Sequence, residues 1–250
     1  MTIVTEPTVS QLNGMLRFVR YGFMPNRLRY CGGDDNRTLF DYGIAGATDR
    51  GLQQLLVQFN GALPYLKLIA HANGLADPFD ARVVEAYWLG NDLLDHVEMR
   101  QLYDSLAERF GKQLQGRTRE LVLGKAPAGA RPHHSFHVLD VHSRVGELPM
   151  SVHTLDSCRV SWGKVRQVDG GELLIERQPL VLAAQKLALG EATLERAVRQ
   201  VQGRGFADNA QPEDWVSLHW GWVCEVISDQ QRIRLERYTR YHLALANRTL

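Results

Sequence analysis

Four short stretches concentrate the side chains able to bind a metal or act as nucleophiles: "RYCGGDDNRTL" (29–39), "RPHHSFHVLDVHS" (131–143), "CRVSWGKV" (158–165) and "DWVSLHWGWVCEVISDQQ" (214–231). The last reads as a strand in which Val216, Leu218, Trp220 and Trp222 share one face and Ser217, His219, Gly221 and Val223 the other. Small neighbours leave the His219 imidazole room to reach a ligand. Cys158 stands at the lip of an earlier strand. A thiolate with a neutral imidazole suits a borderline metal such as iron(II) or zinc. Two protein ligands do not close a structural site, which normally takes four, but they suit a carrier whose cargo brings its own ligands and must leave again. The alternative is a hydrogen-bonded core histidine and a small buried thiol, the commoner fate of a free cysteine.

In the first stretch Gly32-Gly33 permits close approach of a ligand to Cys31, and Asp34-Asp35 adds oxygen ligands for a second metal or anion site. A tight loop in which Asp34 or Asn36 caps the next segment fits the same residues. The second stretch holds His133, His134, His137 and His142. His133 and His137 have the spacing of a zinc-hydrolase helix, yet His134 stands where that motif needs a glutamate. The run reads instead as loop into strand, its imidazoles either lining a groove near Cys158 or forming a polar loop. Cys31, His133, His134 and His137 are therefore second-tier metal candidates behind Cys158 and His219. No phosphate-cradling Gly-rich loop follows a strand and no Gly-x-Ser-x-Gly elbow occurs, so no catalytic residue is assigned.

The elements that must position these residues change character along the chain. Residues 1–123 read as helical, beginning with a helix around 9–21. "DRGLQQLLVQFNGAL" places Leu52, Leu55, Leu56 and Phe59 on one face. "PYLKLIAHANG" opens with Pro64 and closes at Gly74. "DPFDARVVEAYWLGNDLL" offers Asp77 as N-cap, Pro78 first and Asp80 third, and "HVEMRQLYDSLAERFG" stops at Gly111. The Pro- and Gly-punctuated "GKAPAGARP" (124–132) marks a boundary. Beyond it "FHVLDVHS", "LPMSVHTL", "CRVSWGKVRQV", "ELLIERQPLVL" and "KLALGEATLERAVRQV" read as strands, with Asp169-Gly170-Gly171 as a hairpin turn. Ser228 and Gln231 make a capping box for a last helix. The expected fold class is α+β: a helical domain over 1–130, then a small OB-like β-barrel with a C-terminal helix over 131–250.

Bulk properties narrow the function classes. A chain of 250 residues, 44% hydrophobic and 23% charged, buries a sufficient core without staples. A net charge of +1 and no basic tract give nucleic acid no footing. No run of about 18 apolar residues exists to span a membrane, and the start lacks a signal-peptide pattern. Cys31, Cys158 and Cys224 are too few for a disulfide framework and point to a reducing compartment. The expectation is a soluble cytoplasmic protein.

The C-terminal part, roughly residues 156–247, resembles the HypC-type small chaperones of nickel-iron hydrogenase maturation. "CRVSWGKV" keeps Cys158, Gly163 and Val165, with Trp162 where proline is usual, and "VDGGELLIE" echoes an acidic hairpin. "EDWVSLHWGWVCEVISDQQ" matches at Asp214, Trp215, Val216, His219 and Gly221, followed by a capped helix in register. In this chain the cysteine follows 157 residues instead of opening the protein. The whole chain also resembles an uncharacterised bacterial family that accompanies hydrogenase genes, through "YGFMPNRLRYCGGDDNRTL" and "HHSFHVLDVHS".

The resemblance implies that Cys158 and His219 hold iron, bare or as a fragment bearing cyanide and carbon monoxide. It implies a metallochaperone that hands this iron to the hydrogenase large subunit or to other maturation proteins. Two further readings stay open: an enzyme that makes or modifies a diatomic ligand on barrel-bound iron, and a metal-free interaction module.

Overall fold

The computed structural model of the protein describes residues 13–112, 114–145 and 151–250. Helices fill the first half. α1 (Gly14–Arg27) starts on Asn13, whose side chain accepts the Met15 amide, and it continues past the expected end at 21. Residues 9–12 of that expected helix lie outside the described residues. α2 (Asn36–Ala45) and α3 (Arg50–Leu56) begin at Asp35 and Asp49, each carboxylate accepting a first-turn amide. α4 (Leu63–Ala72) has Pro64 in its first turn, as expected. α5 (Ala81–Trp88) begins later than the sequence suggests, because Asp77 takes the Phe79 amide in a preceding turn and Asp80 becomes the N-cap. α6 (Met99–Phe110) ends at Gly111, and α7 (Gly116–Leu123) follows.

Two expected strands are helical. "FHVLDVHS" lies in α8 (His134–Phe136), a π-helical turn (His137–His142) and α9 (Ser143–Val145). Val138, Leu139 and Val141 are all buried, and so continuous an apolar run has no period that separates strand from helix. The described part of "LPMSVHTL" enters α10 (Val152–Cys158), capped by Ser151, while residues 148–150 lie outside the described residues. Cys158 therefore ends a helix instead of opening a strand.

The strands are β1 (Ser161–Asp169), β2 (Glu172–Arg177), β3 (Leu180–Ala183), β4 (Lys186–Leu189), β5 (Thr193–Val198), β6 (Trp215–His219) and β7 (Trp222–Ile227), before α11 (Asp229–Ala246). β1 and β2 form the expected hairpin, turning at Gly170, whose φ is 55°. Pairing runs β1-β2-β5-β7-β6 and returns from β6 to β1, closing five strands into a ring, with β3-β4 as a separate hairpin. The Ser228–Gln231 capping box starts α11.

The stretch read as one strand from 214 is two, reversing at Trp220-Gly221 with φ of 54° and 69°. The reversal resets the alternation. Val216, Leu218 and Val223 fill the barrel, while Trp222 faces Phe23, Phe40 and Phe206. One core joins the two halves: Phe18 and Phe23 of α1 belong to the same buried cluster as Trp222, Ile227 and Leu235. Among the described residues no helix is long and apolar enough to cross a membrane.

Candidate metal centre

His134, Cys158 and His219 bring one ligand atom each to within 4.8 Å of one another. The backbone explains the convergence. His219 is the last residue of β6, immediately before the Trp220-Gly221 reversal, and the Trp220 amide donates to the Ser157 carbonyl at 2.8 Å. That bond ties the end of α10, and so the Cys158 thiol, to the tip of the β6–β7 hairpin. His134 opens α8, and its Nε2 bonds the Cys158 carbonyl at 2.9 Å. Trp88 of α5 packs against both imidazoles, with ring centroids 4.6 Å from His134 and 5.6 Å from His219.

Polar partners fix how each imidazole presents itself. His219 Nδ1 lies 2.7 Å from the Tyr21 carbonyl and must donate to it, which leaves the lone pair on Nε2. Nε2 is buried and has no hydrogen-bond partner. Orienting a histidine by a backbone carbonyl on its far nitrogen is the usual outer support of a metal ligand. His134 donates from Nε2 in the same way, so its lone pair sits on Nδ1, 3.2 Å from the Tyr87 hydroxyl.

Burial dominates the protonation of the cluster. It pushes His219 down to about 4, against the opposing carbonyls of Tyr21 and Cys158. It holds His134 well below the usual imidazole range, helped by His219 and His137. It pushes the Cys158 thiol up to about 12, with Cys31 adding to the rise and Trp220 opposing it. Both histidines are thus neutral; the His219 lone pair is free, the His134 lone pair exchanges its Tyr87 hydroxyl for a metal, and the thiol must give up a proton on binding.

The cluster opens into a cavity of about 740 Å³ whose wall includes Cys31, His137 and His142. A Cβ added at Gly61 would lie 3.4 Å from His137 Nε2 and 3.9 Å from Cys31 Sγ, so this loop brings a second thiol and a second imidazole together. Burial raises Cys31 to about 11, offset by the Gly32 and Gly61 amides. Asp34 and Asp35 do not join it: neither lines the cavity, and Asp35 is spent capping α2 through the Thr38 amide.

His133 faces elsewhere. Its Nδ1 meets Ser135 Oγ at 2.7 Å, and Ser135 Oγ in turn meets His242 Nδ1 at 2.7 Å, in a buried network beside α11. Cys224 is buried in β7, its thiol 3.6 Å from the Trp222 carbonyl. Cavity residues without a sequence signal include Tyr87, Trp88 and Arg109, which reach the wall only through helix packing; Tyr65 is buried directly behind Arg109.

The donor set fits a metal. It offers one sulfur and two nitrogens, and the described cavity wall carries no Asp or Glu. Such a set favours iron(II), zinc or another borderline ion over calcium or magnesium, which demand oxygen. Three protein ligands facing a cavity leave a coordination position for an exogenous group. No curated protein and no solved structure matches the chain. The profile of a family of unknown function, DUF6390, matches residues 10–250, so the chain belongs to that family.

Proposed function

We propose that the protein is a cytoplasmic accessory factor of nickel-iron hydrogenase maturation. In this reading it carries iron, bare or as an iron-cyanide/carbonyl fragment, on His134, Cys158 and His219 toward the hydrogenase large subunit or another maturation protein. The observation that carries it is the meeting of one thiol and two neutral imidazoles at the end of a roomy cavity. Two of the three are the residues singled out by the resemblance to HypC-type chaperones. The strand order β1-β2-β5-β7-β6, with β6 returning to β1, supports an OB-like barrel as the scaffold.

The test is anaerobic purification from cells expressing the maturation machinery, with iron analysis and infrared spectroscopy. Metal-bound cyanide or carbonyl bands, lost in Cys158→Ala and His219→Ala, are the expected result. Absence of iron in the wild-type protein would sink the reading and favour a metal-free interaction module. A second reading, an enzyme acting on a ligand of the iron, draws on the Cys31 thiol in the same wall. It requires Cys31→Ala to keep iron and yet stop maturation in cells.

A further inference from the structure

The cavity wall carries positive charge that nothing in it balances. Arg29 and Arg109 line it, beside four histidines that burial disposes to stay neutral and, among the described residues, no carboxylate. Arg109 of α6 is held flat, its guanidinium carbon 4.6 Å from the Tyr65 ring centroid and 4.8 Å from that of Phe110. Nη2 makes only long contacts to the Asn60 and Gly61 carbonyls, at 3.4 and 3.3 Å. Nη1 is buried without a partner, and so are the Tyr65 hydroxyl and His137 Nδ1.

These groups are neighbours of one another and of the metal cluster. Tyr65 and His137 have ring centroids 5.5 Å apart, and His137 and His134 6.1 Å apart. Tyr65 stacks on Tyr87 at 5.7 Å, and the Tyr87 hydroxyl reaches His134. Arg109 is half-buried, but its Nη1 is enclosed, and beside it the Tyr65 oxygen can at best accept from the guanidinium. The phenol O–H and the cationic charge are left without an acceptor, and an anion answers both.

We propose that Arg109, Tyr65 and His137 form an anion subsite that receives a small monodentate anion bound to the metal at the adjoining cluster. The ligand class is that of azide, thiocyanate or cyanide: one end on the metal, the other accepting hydrogen bonds from the guanidinium and the phenol. The subsite rests on the metal-carrying reading above and gives it an anionic cargo. Arg109 supplies the charge; Tyr65 and His137 set the depth at which the anion lies.

The test loads the full-length protein with cobalt(II) under argon, follows its visible and thiolate charge-transfer bands, and titrates azide. Wild-type protein is expected to bind cobalt with a band that Cys158→Ser removes, and azide is expected to shift the visible bands. Arg109→Gln should weaken azide by about tenfold, the scale of one charge-assisted hydrogen bond, with cobalt affinity unchanged. Arg109→Lys should recover most of the loss, and Tyr65→Phe, a milder change, should weaken azide by about threefold.

Azide binding untouched by both Arg109→Gln and Tyr65→Phe would overturn the subsite and leave the metal site standing. Arg109→Lys as weak as Arg109→Gln would refute recognition by charge. Loss of cobalt in Arg109→Gln, with azide binding to Tyr65→Phe unchanged, would make Arg109 a support of the wall and also overturn the proposal. Absence of the Cys158-dependent cobalt band in wild-type protein would remove the metal reading and the subsite together.

Discussion

Metal binding at the His134–Cys158–His219 cluster is expected to release one proton and to tighten tenfold for each unit of pH between about pH 5 and pH 9. The bound species is the thiolate, whereas the free thiol is pushed up to about 12 by its burial. At neutral pH it is therefore protonated, and the incoming metal must expel that proton. His219, lowered to about 4, and His134, held well below its ordinary value, are already neutral in this window and release nothing. Proton loss accompanies binding, so affinity rises with pH, with a slope of one. Neutral pH lies about five units below the thiol value, so ionising Cys158 costs about 7 kcal/mol of the gross metal interaction.

That cost is of an order a thiolate–metal bond can meet, given the apparent affinities of about 10–16 kcal/mol seen for structural zinc at pH 7. Exposed histidines, titrating near about 6.5, would behave differently: three protons would leave below that pH and the slope would steepen toward three. Calorimetric titration with zinc(II), in buffers of different ionisation enthalpy at pH 6, 7 and 8, counts the protons directly. One proton per metal at all three values is the expected outcome. No proton would mean a preformed thiolate, and two or more would mean protonated imidazoles; either refutes the account of a buried neutral cluster.

Two further outcomes separate the roles of neighbouring residues. Trp222→Ala removes a fully buried ring from the contact with Phe23, Phe40 and Phe206 and should cost about 3–5 kcal/mol; denaturant unfolding followed by circular dichroism should show one transition, and a barrel that melts apart from the helices would contradict the shared core. His133→Asn should leave cobalt affinity unchanged while His134→Ala lowers it by more than about a hundredfold, since even outer supports of a metal ligand are worth 10–100-fold; equal losses in both variants would mean that His133 belongs to the site.

The types of the ligands are visible in the sequence, but their grouping is only half so. His219 stands out because it interrupts an apolar run, and Cys158 because it is one of three cysteines and opens the stretch that leads into β1. His134 does not, because it sits in "HHSFH", where three imidazoles compete and the local structure decides among them. His133 becomes the N-cap of α8 and turns toward Ser135 and His242, so its neighbour alone points at Cys158. That choice depends on "FHVLDVHS" being helical, and its consecutive buried residues carry neither a two-residue nor a 3.6-residue period.

The hairpin tip is hidden for a different reason. Tight reversals favour Asn-Gly or Gly-Gly, and Trp-Gly lacks the first of these cues. Trp220 accepts a φ of 54°, which is costly for a bulky residue. Its amide bonds Ser157 and its ring packs on Tyr30 at 4.4 Å, and these contacts offset the cost. Arg109 and Tyr87 look like ordinary helix residues locally, and only the packing of α5 and α6 brings them to one wall, with Tyr65 of α4 packed behind them. The β1–β2 hairpin, by contrast, follows from alternation and from Gly170-Gly171, because short-range turn chemistry specifies it, whereas the runs "ELLIERQPLVL" and "KLALGEATLERAVRQV" each divide between the barrel and the β3-β4 hairpin.

The third ligand changes what the barrel can do. In the region that resembles the small chaperones, Cys158 and His219 alone make a two-ligand site, with the remaining positions supplied by cargo. His134 lies outside that region, and so does the Tyr21 carbonyl that orients His219. The Trp88 wall that keeps both imidazoles dry belongs to the helical half as well. A metal here would be held by groups from segments far apart in sequence, which meet only when helices and barrel share their core. The unfolded chain offers no comparable site, so bound metal favours the fold, by about 2.7 kcal/mol at a free metal concentration a hundred times the dissociation constant. The same coupling runs in reverse at release. A partner that draws α8 away from the β6–β7 tip would remove His134 and leave the weaker two-ligand condition, and one that draws α5 away would wet both imidazoles without removing a ligand.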